Sequence, residues 1–193
     1  MTSPPGARDD AALATAVIAG DSRAFTELMR RHKEAIYRFI RRYVGDADEA
    51  YDLLQETFAA AWSALPAFDS ARPMRAWLRR IALNKCRDWS RRRFVRRFFF
   101  TAAPINNSAN VIAAADSDAD PEQERRLADL DRQIASLPAG LKEPLLLTQF
   151  EGLSHKDAAH ILNISPKAVE MRIYRARAQL AAALGLPSAG GEG

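Results

Sequence analysis

Covalent and metal chemistry have little to work with in this sequence of 193 residues. Cys86 is the only cysteine, so no disulfide can form within the chain, a usage that suits a reducing compartment. The three histidines, His32, His155 and His160, do not fall at the spacing of a zinc motif such as H-E-x-x-H. There is no glycine-rich phosphate loop, and Cys86 has no basic partner at the spacing of a nucleophile motif. No run of about eighteen apolar residues exists, and the N-terminus does not read as a signal peptide. Alternation of β-branched residues never persists, which removes the usual signature of a sheet. These absences argue against a disulfide scaffold, a zinc or phosphate-loop enzyme and direct membrane insertion. The expectation is an all-α, soluble, cytoplasmic protein that needs neither cofactor nor metal.

What is present is charge, and it is segregated. The net charge is +4 with a pI near 9.5, a mild basic excess that favours an acidic partner. From Tyr43 to Ala71 there are six acids (Asp46, Asp48, Glu49, Asp52, Glu56, Asp69) and no lysine or arginine. From Arg72 to Phe100 there are eleven basic residues and one acid, Asp88. A solvated surface mixes its signs, so the first block reads as built for a basic partner and the second for an acidic one.

Periodicity divides the chain into two helical domains, 11–97 and 122–184, with a disordered N-terminus at 1–10, a linker at 98–121 and a disordered tail at 185–193. In the first, Leu13, Val17, Phe25, Leu28, Ile36, Phe39 and Ile40 are the early core, and Gly20-Asp21 breaks the helix so that Asp21 or Ser22 can cap the next. The acidic helix runs from about Ala47 to Leu65, where Pro66 ends it, with Leu54, Phe58, Ala61 and Leu65 as its buried stripe. Asp48, Asp52, Gln55, Glu56 and Ala59 occupy another face, whose carboxylates are either solvated or part of a docking surface. As a calcium site their spacing is wrong. The basic helix follows Pro73. Arg80, Asn84, Arg87 and Arg91 form one line along it, and Arg72, Arg75 and Arg79 a second, a pattern suited to phosphate contacts with one amide for a base or sugar. Trp77 and Trp89 either stack on unpaired bases or belong to the core. The stretch Arg91–Phe100, RRRFVRRFFF, is too short to anchor the chain in a membrane. In the second domain Leu127, Leu130, Ile134 and Leu137 form one apolar side, and Leu141–Phe150 reads as a further helix.

Leu153–Leu180 carries two helix starts in tandem. Ser154 and Asp157 have capping-box spacing, and Ser165-Pro166 pairs an N-cap with a first-turn proline. Only Leu162-Asn163-Ile164 separates them, which is the layout of a helix-turn-helix. Val169, Ile173, Ala176 and Leu180 give the second helix its apolar stripe, leaving Lys167, Glu170, Met171, Arg172, Tyr174, Arg175 and Arg177 outside. In the major groove, Lys167, Glu170, Met171 and Arg172 would lie nearest the base edges, with Arg175 and Arg177 on phosphate. His155 and His160 are placed on the surface of this unit.

The phrases DLLQETFAAAW (Asp52–Trp62) and AFDSARPMRAWLRRIALNKCRDWSRRR (Ala67–Arg93), then LPAGLKEPLLLTQFEGLSHKDAAHIL and SPKAVEMRIYRARAQL, resemble in sequence and order the extracytoplasmic-function (ECF) bacterial sigma factors. The likeness runs from Phe25 to Leu184 outside the linker. It implies an alternative sigma factor that directs core RNA polymerase to promoters, including those of stress responses, and assists their opening. By the resemblance, Asp52, Gln55, Glu56, Phe58 and Trp62 dock on the polymerase, chiefly the clamp of its largest subunit, with the second-largest subunit also in contact. Phe68, Asp69 and Ser70 in the loop, and Trp77, Arg80, Asn84, Lys85 and Arg87 on the helix, take the minus-10 element. Ser165, Lys167, Ala168, Glu170, Met171, Arg172, Arg175 and Arg177 read the minus-35 element. An anti-sigma factor is the further partner implied, and the acidic patch Asp116–Glu124 would mimic nucleic acid in the polymerase cleft. The chain departs from the family at Pro73, at the aromatic stretch Phe94–Phe100 and at Ala168-Val169-Glu170-Met171, where relatives often carry a Thr-Val-Lys-Ser type segment. Two other readings compete: a stand-alone helix-turn-helix regulator, which would not need the acidic helix, and an enzyme, for which the residues above are wanting.

Overall fold

The computed structural model describes residues 9–99 and 121–185; the expected N-terminal segment, most of the linker with Asp116–Asp120, and all but the first residue of the tail lie outside them. Among the described residues every regular element is helical: α1 (Asp10–Ile18), α2 (Ser22–Val44), α3 (Ala47–Ala64), α4 (Met74–Phe99), α5 (Pro121–Ser136), α6 (Ala139–Leu145), α7 (His155–Leu162) and α8 (Pro166–Ala183). They fall into two compact units. The first takes the chain up to Ile40 together with Ala50–Val95; the second takes Arg41–Glu49 and the chain from Arg96 onward.

In the first unit each helix start is set locally. Asp9 caps α1 by accepting the Ala12 N–H at 2.7 Å, and Asp21 caps α2 by accepting the N–H groups of Arg23 and Ala24. Asp10 on α1 binds Arg31 and His32 on α2, at 3.3 and 2.7 Å. The core collects Leu28, Ile36, Phe39 and Ile40 from α2, Leu53, Leu54, Phe58 and Ala61 from α3, and Leu78, Ala82, Leu83 and Cys86 from α4. The expected α3 stripe Leu54, Phe58, Ala61 and Leu65 is buried throughout. A 3₁₀ turn at Leu65–Ala67, with Pro66 in its first turn, closes α3 and packs on α1.

In the second unit α8 packs against α5, α6 and α7. Its stripe of Val169, Ile173, Ala176 and Leu180 is the buried one, as the spacing predicts. The single helix expected over Leu141–Phe150 is divided: α6 is α-helical to Leu145 and Leu146–Phe150 is a π turn. Pro144 lies in this segment and has no N–H to give, while its carbonyl accepts the Thr148 hydroxyl at 2.8 Å. The ladder widens here, with the Glu151 N–H reaching the Leu146 carbonyl at 3.1 Å, and Gly152 ends it at φ +68°. Leu127, expected in the apolar side of α5, is 56% exposed, and the buried positions of that side are Ile134 and Leu137.

Gly45 stops α2 at φ +82°, and a Cβ there would lie 2.7 Å from the Ala135 Cβ. Gly45→Ala therefore combines left-handed strain with a clash against a methyl that has no rotamer to yield. It should cost about 2 kcal/mol, read as a lowered midpoint in chemical denaturation.

Candidate nucleic-acid interface and docking face

On α3 the residues that point away from the core form one face. Asp52 and Gln55 are exposed and Glu56 is partly so. Trp62 keeps 46% of its surface open while its ring meets Phe25 edge-on at 4.8 Å, which fixes the indole without hiding it. Tyr51, half open and 4.8 Å from the Tyr37 ring, extends the same face one turn toward the N-terminus, four residues before Gln55. Sequence reasoning passed over Tyr51, although its place off the buried stripe was the available signal. Phe58 departs from the expected docking role. It is 6% exposed, with its ring edge-on to Phe25 at 6.5 Å, so it anchors α3 and meets no partner from this position.

The loop before α4 is folded on itself. Asp69 accepts the Ala71 N–H at 3.0 Å, and its other oxygen faces the Arg72 guanidinium at 3.3 Å. Phe68 is half-buried, tilted against Trp77 at 5.0 Å, and Ser70 is exposed. Along α4, Arg80, Asn84 and Arg91 are exposed and Arg87 is half-buried, so the first of the two predicted lines reaches solvent. Of the second, Arg72 and Arg75 are exposed as well and Arg79 alone turns inward. Arg79 is 2% exposed, and burial, with the neighbouring Arg75 charge, pushes its guanidinium down to about 9. Nor is Trp89 free to stack on a base; it is buried, with the Arg93 guanidinium 5.1 Å from its ring. Lys85 lies 3.4 Å from Glu56 of α3, and Arg92 lies 3.6 Å from the same carboxylate.

The helix-turn-helix is built by its two caps. The Ser154 hydroxyl accepts the Asp157 N–H at 3.1 Å and donates to the Asp157 carboxylate at 2.6 Å. Asn163 takes a left-handed conformation, φ 55° and ψ 48°, and lets the Ile164 N–H return to the Ala159 carbonyl at 3.1 Å. Ser165 then starts α8 by accepting the Ala168 N–H at 3.1 Å. Ser165, Lys167, Glu170, Met171, Arg175 and Arg177 are exposed, with Ala168 and Arg172 half-buried. The Lys167 ammonium donates to both Glu170 oxygens at 3.0 Å, and Arg177 donates to Gln149. Tyr174, the most open large hydrophobic side chain of α8, lies beside Arg175 and was not among the expected readers. His155 and His160 are exposed on α7, as expected.

Two family models match the chain, sigma-70 region 2 over residues 28–94 and sigma-70 region 4 over 127–180. The RNA polymerase sigma factor CnrH of Cupriavidus metallidurans is 41% identical over 179 residues, covering 91% of this chain and 94% of that one. The ECF RNA polymerase sigma factor SigM of Mycobacterium tuberculosis is 32% identical, covering 95% and 88%. The chain belongs to the ECF RNA polymerase sigma factors.

Solved structures agree with that assignment. CnrH in complex with the cytosolic domain of CnrY matches this sigma factor at TM-score 0.64 and 37% identity, over 91% of this chain and 97% of that one. The sigma factor RpoE of Bartonella quintana, crystallised with the anti-sigma factor NepR, matches at TM-score 0.69 and 26% identity, over 83% and 96%. As an ECF sigma factor the chain binds core RNA polymerase and directs it to promoters. The first surface described above, on α3 and α4, lies in the region 2 match, and the helix-turn-helix lies in the region 4 match. Among the described residues no helix is long and apolar enough to cross a membrane, and no group of acidic, histidine or cysteine side chains is placed to hold a metal.

Proposed function

We propose that this sigma factor docks on the largest-subunit clamp through the outer face of α3, with Tyr51, Asp52, Gln55, Glu56 and Trp62 in contact. Phe68, Asp69 and Ser70, with Trp77, Arg80, Asn84, Lys85 and Arg87 of α4, bind the minus-10 element and stabilise its unpaired bases. Phe58 and Arg79 support these surfaces from inside. The minus-35 element is read in the major groove by Lys167, Glu170, Met171 and Arg172, with Ser165 and Ala168 at the close approach and Arg175 and Arg177 on phosphate. The chain makes and breaks no bond; it positions the polymerase, which does the chemistry. Contact with the second-largest subunit, control by an anti-sigma factor and a cytoplasmic location complete the reading, the middle point supported by the anti-sigma factor bound to RpoE in the matching structure. The domain limits 11–97 and 122–184 are proposed with it.

One observation carries the proposal: α3 buries Leu54, Phe58 and Ala61 on one side while holding Asp52, Gln55 and an edge-fixed Trp62 open on another. An acidic face with a rigid aromatic anchor is suited to a basic protein surface. The test is transcription with core polymerase from a related bacterium and a pool of genomic promoter fragments. Specific starts that appear only with this protein support the reading, and their alignment gives the promoter sequence. Failure to bind polymerase, together with tight sequence-specific duplex binding by the protein alone, would replace it with a stand-alone regulator.

The minus-35 assignment has its own test. Arg175→Ala should weaken duplex binding to a similar extent on every sequence and flatten the salt dependence by about 0.9 in log–log slope, one phosphate contact. Met171→Ala should instead change which duplex is preferred, read by competition between fragments.

A further inference from the structure

We infer that Glu56 is a shared anion that couples polymerase docking to DNA binding. Its carboxylate faces two cations of α4, Lys85 Nζ at 3.4 Å and Arg92 Nη2 at 3.6 Å, across the packed α3–α4 pair. Glu56 belongs to the docking face of α3, and Lys85 belongs to the basic face assigned to the minus-10 element, so the inference rests on the proposed function. While Glu56 holds these cations, both are withdrawn from phosphate. A basic side chain of the polymerase that takes Glu56 leaves Lys85 and Arg92 to the DNA, and DNA that takes the cations leaves Glu56 to the polymerase. Such coupling is reciprocal by thermodynamic necessity. The three side chains are between 30% and 56% exposed, so the pairs are weak and readily exchanged for a partner's. Asp52 lies one turn earlier on the same face, and its carboxylate makes no ion pair or hydrogen bond among the described residues. The same charge therefore serves docking at Asp52 and both docking and masking at Glu56.

The experiment uses the full chain without polymerase, a fluorescein-labelled single-stranded oligodeoxynucleotide and anisotropy titrations across a range of salt. Glu56→Gln should bind about threefold to tenfold more tightly at low salt. Its log–log salt slope should steepen by about 1.4, two cations at about 0.7 each on single strands. Asp52→Asn makes the same change in net charge and should leave the slope where it is. Adding Lys85→Gln and Arg92→Gln to Glu56→Gln should remove the gain. Equal behaviour of Glu56→Gln and Asp52→Asn, or an unchanged slope, overturns the inference. Thermal melts of each variant check that the fold is intact. Binding of Glu56→Gln to core polymerase is measured separately: undiminished docking would refute the role of Glu56 in the proposed interface, while the DNA titrations decide the masking on their own.

Discussion

Gln55→Ala combined with Glu56→Arg is expected to lower specific transcription by about a hundredfold at limiting protein, with starts fading at every promoter alike. Both side chains lie outside the core of α3, and neither contributes to the buried stripe of Leu54, Phe58, Ala61 and Leu65. The loss would therefore come from the interface and not from unfolding. Removing an amide and reversing a charge at the centre of a docking face leaves the partner's cation opposed by another cation, a change worth about 2–4 kcal/mol in measured interfaces. Glu56→Arg also places a third positive charge beside Lys85 and Arg92. Glu34→Arg on α2 is the control, since Glu34 is exposed and, among the described residues, pairs only along its own helix, with Arg38. It should leave transcription within about twofold of wild type. Binding of the double variant to core polymerase at wild-type strength would refute the assigned face.

The second large effect concerns stability. Lys142→Met is expected to cost the second unit about 3 kcal/mol, seen as an early loss of helical circular dichroism in urea. The Lys142 ammonium is buried and donates to the carbonyl of Tyr43 at 2.8 Å and to that of Ala135 at 2.6 Å. Tyr43 lies in the last turn of α2 and Ala135 in the last turn of α5, so one cation satisfies two helix C-termini, where the helix dipole favours it. The same charge sits 4.6 Å from the centre of the Tyr43 ring, whose hydroxyl donates to Glu143 at 3.2 Å. Methionine fills the volume of the stem but strands both carbonyls, which is the costly half of losing a buried hydrogen bond. A melt unchanged from wild type would show that water replaces the ammonium freely.

Where sequence reasoning succeeded, the information was local. The Ser154 and Ser165 caps, the short turn and the four-three-four stripe of α8 are all written within thirty residues, and the structure shows them as expected. It failed where the answer depends on what lies across the core. Nothing in the spacing of Arg72, Arg75 and Arg79 says that the third turns inward. Phe58 sits within a docking phrase, yet its place in the stripe with Leu54 and Ala61 was the better guide. The division of Leu141–Phe150 lies in the backbone ladder, where the Glu151 N–H reaches back to the Leu146 carbonyl, a change that hydrophobic period does not register. By sequence alone the two charge blocks point outward, to two partners. Part of each faces the other, because α3 and α4 bring Glu56 to Lys85 and Arg92.

The burial of Cys86 has a consequence for signal reception. The only thiol of the chain is fully enclosed in the first unit, away from the solvent that would carry peroxide, a mixed disulfide or a metal ion to it. An oxidant therefore meets no exposed sulfhydryl on this folded chain, and a redox signal has no direct entry through its cysteine. The surface is correspondingly silent toward maleimides, so a cysteine introduced at exposed Ser63 would be the sole reactive handle for attaching a probe.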